Sequence, residues 1–142
     1  MFFLMTTLWS SAATQAEASP SIPPSVKDSY VKTALPILRQ SCFACHGPHP
    51  QNVDMIQDPA LRKKAEKAIA GSQDMFPMAE SFPFGENDDS RAELKDIVKN
   101  LKKGWMPPEE QKTCNLGASL SDADKKVILD WAEKSIKTLD QK

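Results

Sequence analysis

Apolar residues recur at helical spacing in four stretches of this chain, and none of its segments alternates convincingly as a strand would. The first stretch carries Val31, Ala34, Leu35, Leu38 and Cys42 on one face. Pro36 interrupts it, lacking an N–H and disfavouring helix at the residue before it. The segment therefore either kinks there or starts near Leu35 with Pro36 in its first turn, and in both cases Pro36 to Ser41 delivers Cys42 and Cys45 at a helix C-terminus. The second stretch sets Leu61, Ala65, Ala68 and Ile69 opposite Lys63, Lys64 and Lys67, with Asp58 as cap, Pro59 at the first position and Gly71 as stop. An aromatic and methionine-rich loop comes next, from Met75-Phe76-Pro77-Met78 to Phe82-Pro83-Phe84-Gly85. The third stretch opens on a capping box, Ser90-Arg91-Ala92-Glu93, buries Leu94, Ile97, Val98 and Leu101, and ends in Lys102-Lys103-Gly104. The last is capped by Ser121 and carries Val127, Ile128, Trp131, Ala132, Ile136 and Leu139. The pattern predicts an all-α domain of about four short helices.

Composition adds stiffness and compartment. With eleven prolines against five glycines, the helices are expected to be joined by proline-punctuated loops. A length of 142 residues suits one domain with its own core. At the N-terminus, the short apolar run Phe2 to Trp9 precedes Ala16-Glu17-Ala18, a small-x-small cleavage pattern. Residues 1–18 are thus read as an export signal, although no Lys or Arg precedes the run. Residues 19–29 are read as a flexible lead-in and 30–142 as the functional domain. The apolar run is too short to cross a bilayer, so no membrane span is expected in the mature chain. The 18 basic and 19 acidic residues give a net charge of -1, which favours neither nucleic acid nor an anionic membrane as partner.

Three cysteines are an odd number for an exported protein, where thiols normally pair. Two of them stand in Cys42-Phe43-Ala44-Cys45-His46, a C-x-x-C-H sequence that reads as covalent attachment of one haem. Two thiols at this spacing on a turning backbone match the two vinyl groups on one haem edge, and His46 then lies under the iron. A zinc site would need a second Cys/His pair, and His49 and Cys114 lack the spacing for it. A thioredoxin-like redox pair would need a β-α-β context, which is missing. For the sixth ligand, thioether sulfur and imidazole are the usual choices. Met106 stands out because a helix stop and Trp105 precede it and Pro107-Pro108 stiffen the chain after it. Met75 and Met78 are its rivals, and His49 is too close in sequence to His46 to reach the other haem face.

Pro36-Ile37-Leu38 followed by Cys42-Phe43-Ala44-Cys45-His46-Gly47 resembles the start of small bacterial class I cytochromes c. Met106-Pro107-Pro108 and the opening Leu120-Ser121-Asp122-Ala123-Asp124 of a final helix carrying Trp131-Ala132 extend the resemblance from Tyr30 to Leu139. It implies a cytochrome c-like fold around one covalent haem c, with Trp131 where the first and last helices cross and Met106 as sixth ligand. The expected role is periplasmic electron transfer with redox partner proteins, not catalysis by the chain itself. The alternatives are a haem sensor or peroxidase-type site with an open sixth position, or a cytochrome subunit of a larger oxidoreductase. The sequence departs from that pattern twice. Gly47-Pro48 follows His46 at once, leaving open which carbonyl orients the imidazole. The stretch from Pro108 to Leu120 is long and contains Cys114, read as a structural or incidental thiol able to pair between molecules if exposed. Lys99, Lys102 and Lys103 would either ring a haem edge and steer an acidic partner or simply favour their helix dipole.

Overall fold

The computed structural model describes residues 21–85 and 89–141, so the export signal expected over 1–18 lies outside the described residues. These residues form seven α-helices and no strand. In chain order they are α1 (Pro24–Ser29), a π-helical segment (Tyr30–Ala34), α2 (Leu35–Ser41), α3 (Phe43–His46), α4 (Pro59–Met75), α5 (Ser90–Lys102), α6 (Glu109–Thr113) and α7 (Asp122–Asp140). The class is all-α, as the periodicity predicts, with more helices than the four stretches account for.

Pro36 does not break the first helix. The π-helical turn directly before it shifts the ladder, so that the Leu35 N–H donates to the Tyr30 carbonyl five residues back. The wider turn accommodates a ring that lacks a donor and would otherwise press on the carbonyl of the preceding turn. Helix also begins earlier than expected. Pro24 to Ser29, assigned by sequence to a flexible lead-in, are helical and bury Val26 at 2% exposure.

α5 and α7 pack against each other, and the π-helical segment packs on α7. Trp131 sits at this contact, its ring 5.4 Å from Tyr30 and 5.5 Å from Phe82. Tyr30, Ala34, Leu94, Ile128 and Ala132 are fully buried around it. The aromatic loop divides its residues. Phe82 and Phe84 pack into this core beside Tyr30, and Ala79 accepts the Tyr30 hydroxyl at 2.6 Å, while Phe76 and Met78 pack on its edge, the Phe76 ring 5.8 Å from Phe84. A smaller cluster of Cys45, Val53, Ala65, Cys114 and Leu116 lies under α4 and α6.

Two helix boundaries differ from the sequence reading. Asp58 caps α4 through the amides of Ala60 and Leu61, but Gly71 does not stop it and the helix runs on to Met75. A helical glycine costs about 1 kcal/mol relative to alanine. The last turn here packs on α3 and offsets that cost. α5 is capped by Asp89, whose carboxylate accepts from the Arg91 and Ala92 amides at 3.0 and 3.3 Å. Ser90 is thus the first helical residue, and Glu93 turns inward to accept the Phe84 amide at 3.4 Å. Asp89→Ala should therefore cost about 1 kcal/mol in urea unfolding, and Ser90→Ala under about 0.5 kcal/mol. The reverse order would restore Ser90 as the cap. Ser121 caps α7 as the sequence indicated.

Candidate functional site

α2 and α3 meet at Cys42, where the chain turns without leaving helical geometry. The Cys42 amide donates to Leu38, and the His46 amide donates to Cys42 at 2.9 Å. α3 ends at Gly47, where the backbone becomes extended, and only glycine fits there, because a Cβ would fall 2.5 Å from the Phe43 Cβ and 2.8 Å from its carbonyl. The turn places Cys42, Cys45 and His46 on the wall of a cleft of about 250 Å³. Leu38, Phe76 and Met78 continue that wall, and α5 adds Ile97, Asn100 and Leu101. Met106, Pro107, Leu120 and Ile128 line the same cleft. All the site residues expected from the sequence therefore face one cavity. Met75 also reaches it, although 77% exposed. His49 is exposed and not on the wall, so it contributes nothing to the cleft.

The orienting carbonyl belongs to Phe76, thirty residues downstream, 2.8 Å from His46 Nδ1. A carbonyl can only accept, so Nδ1 carries the proton and Nε2 is the nitrogen left to ligate. The same loop also takes the His46 backbone, with the Met78 amide donating to the His46 carbonyl at 2.6 Å. Met75, Phe76 and Met78 are thereby held to the histidine side of the cleft. Burial holds the His46 imidazole below its usual range, partly offset by the Phe76 and Ser72 carbonyls. The ring is neutral at neutral pH, the form that binds a metal. Burial pushes the Cys42 thiol up to about 12, with a smaller contribution from Cys45. Cys45 is raised by burial too, and less by Cys114. Both thiols therefore remain protonated at neutral pH.

The Met106 segment is organised by the end of α5. Gly104 adopts φ +68, its amide donates to Leu101, and the Trp105 amide donates back to Asn100 at 3.0 Å. This double closure is a Schellman motif, and it sends Met106 away from the helix axis toward the cleft. The lysines of this helix do not act as one group. Lys103 and Lys99 lie over the exposed Trp105 ring, at 4.4 and 5.9 Å from its centroid, while Lys102 pairs with Glu133 of α7.

Cys114 is buried off the cleft, its sulfur 3.6 Å from the Leu61 carbonyl, and is not exposed for pairing between molecules. Among the described residues no group of three or more His, Cys, Asp or Glu is placed to hold a metal. Three glutamines that no motif marks tie together segments that are distant in sequence. Gln111, buried, donates to Ser41 at 2.6 Å and to Ala118 at 3.2 Å, closing the long stretch after Pro108 against the end of α2. Gln51 ties its loop to Asn115 and Gly117. Gln73 donates to the carbonyls of Cys45 and Gly47.

The donor set suits a haem: an apolar cleft, a neutral imidazole with Nε2 free to ligate, a thioether from another element, and two thiols beside the imidazole. No helix among the described residues is long and apolar enough to cross a membrane. No curated protein and no solved structure matches the chain. The Haem-binding domain family does match it, over residues 1–134. The match takes in the cleft and nearly every helix around it, and the chain accordingly belongs to the Haem-binding domain family and is a haem-binding protein.

Proposed function

We propose that this protein is an exported electron carrier holding one haem c through Cys42 and Cys45, with His46 and Met106 as axial ligands. The observation that carries this reading is the shared cleft. Both thiols, the oriented imidazole and Met106 line it, and Met106 comes from the connection between α5 and α6, far along the chain from His46. Met75, the last residue of α4, and Met78 flank the Phe76 carbonyl that holds His46, which supports Met106 over its rivals. When bound, haem supplies a one-electron iron couple. The chain's part is to attach, orient and shield. Each thiol would add across one vinyl group, forming a carbon–sulfur bond and giving its hydrogen to the other vinyl carbon. Phe76 keeps the His46 ring from rotating. Leu38, Ile97, Leu101 and Ile128 keep water from the cleft floor. With both axial positions taken by fixed side chains, little would rearrange on electron gain or loss.

The test is native holoprotein, studied by visible spectroscopy in both oxidation states and by N-terminal sequencing. A low-spin c-type spectrum in both states and a start near Ser19 are expected. A high-spin spectrum would favour the open-site alternative, and a start at Met1 would remove the export claim.

A further inference from the structure

Among the C-terminal acceptors of α3 are three consecutive carbonyls, those of Cys45, His46 and Gly47. A helix as short as Phe43–His46 has no following turn to satisfy them. All three are taken from one place. Gln73 Nε2 donates to Cys45 at 2.6 Å and to Gly47 at 2.9 Å, and the Met78 amide takes the His46 carbonyl between them. Because both side-chain partners are acceptors, the amide nitrogen and not its oxygen must face them. The same element supplies the Phe76 carbonyl to the imidazole, and the Phe76 amide is anchored on Ser72 of α4 at 3.0 Å. The end of α4, extended past Gly71, thus meets the attachment segment along its backbone and at its ring.

We propose that Gln73 is a positioning residue for His46, a side-chain cap supplied from α4 that sets the rotation of the ligand turn relative to the Phe76 carbonyl. Its two N–H groups fork across His46 to the residues on either side. Without them the Cys45 and Gly47 carbonyls lose their side-chain donors, and of the three carbonyls only that of His46 keeps its tie, to the Met78 amide, so the end of the turn can pivot about that bond and carry the imidazole plane with it. Glutamate in this place has the same shape but only acceptors, so it repels the carbonyls that glutamine binds. Methionine keeps the length and removes both donors. The inference rests on the reading of His46 as the haem ligand.

The experiment uses the holoprotein and its ferric proton NMR spectrum, in which the shifts of the haem methyls report the orientation of the axial imidazole plane. Gln73→Met and Gln73→Glu should displace the methyl pattern. Gln51→Ala is the control: it removes two comparable inter-loop bonds, to Asn115 and from Gly117, without touching the carbonyls of residues 45–47. It should lower the urea midpoint and leave the pattern in place. Methyl shifts in both Gln73 variants matching the parent would overturn the proposal. If those variants do not fold, the unmutated protein decides. Both Gln73 side-chain protons should show through-bond couplings to the Cys45 and Gly47 carbonyl carbons, and their absence overturns it equally. Failure of the underlying reading looks different, since a His46→Ala protein would then keep the parent's methyl pattern.

Discussion

A Cys42→Ala, Cys45→Ala protein should release its haem completely into acidified organic solvent, whereas the parent should retain it. The contrast is large because a thioether bond survives unfolding and noncovalent contacts do not. His46, the Phe76 carbonyl and the apolar wall are untouched in the variant, so the cleft should still take up haem and show a low-spin spectrum before extraction. Acid then removes both supports, protonating the imidazole and unfolding the helices. Each single alanine variant should keep its haem through one bond. The decisive adverse result is haem that stays with the double variant after extraction, since none of the three methionine thioethers left on the wall, Met75, Met78 and Met106, forms a stable carbon–sulfur bond to a vinyl group. Haem that the parent releases just as readily would also exclude covalent attachment while leaving haem binding intact.

Met106→Ala should abolish the weak near-infrared band of iron–thioether ligation and lower the reduction potential by on the order of 100 mV, within the roughly 0.8 V that axial ligands span. Thioether sulfur is a soft donor that favours the reduced iron, and water in its place favours the oxidised form. The variant should also bind cyanide or carbon monoxide readily where the parent resists. The Schellman turn at Gly104 is set by backbone bonds from the Gly104 and Trp105 amides to the Leu101 and Asn100 carbonyls, so losing the Met106 side chain should leave the loop in place and the overall stability little changed. Met75→Ala and Met78→Ala should keep the band. Met75 is 77% exposed and lies one residue before the carbonyl that holds His46, a poor position from which to reach the other face. A band that survives in Met106→Ala and disappears in either loop variant would assign the ligand to that loop. A parent protein without the band would return the open sixth position to consideration.

What the sequence determined by itself is what neighbouring residues decide among themselves. The Cys42, Cys45 and His46 arrangement is legible because one turn of helical backbone places all three. The stripes of α5 and α7 are legible because burial follows a 3.6-residue period, and Ser121 because a cap needs only the next three amides. Trp131 was marked through resemblance as a packing residue between the first and last helices, and its ring does pack on Tyr30. Other local signals were ambiguous in a way only packing could resolve. Asp89 and Ser90 are both capping residues, and Glu93 turned inward to the Phe84 amide in place of reaching back to Ser90. Gly71 carries a stop signal, yet α3 holds the next turn helical. Pro36 is absorbed by a π-helical turn that no periodicity announces. The tertiary structure alone decided the partners of the ligand segment. The carbonyl that orients His46 comes from thirty residues away, the Gln73 amide from 28 and 26, and the Gln111 bond to Ser41 spans 70. Backbone carbonyls carry no residue identity, and a glutamine amide fits any pair of acceptors. Such bonds exist only once the helices have packed and brought the groups together.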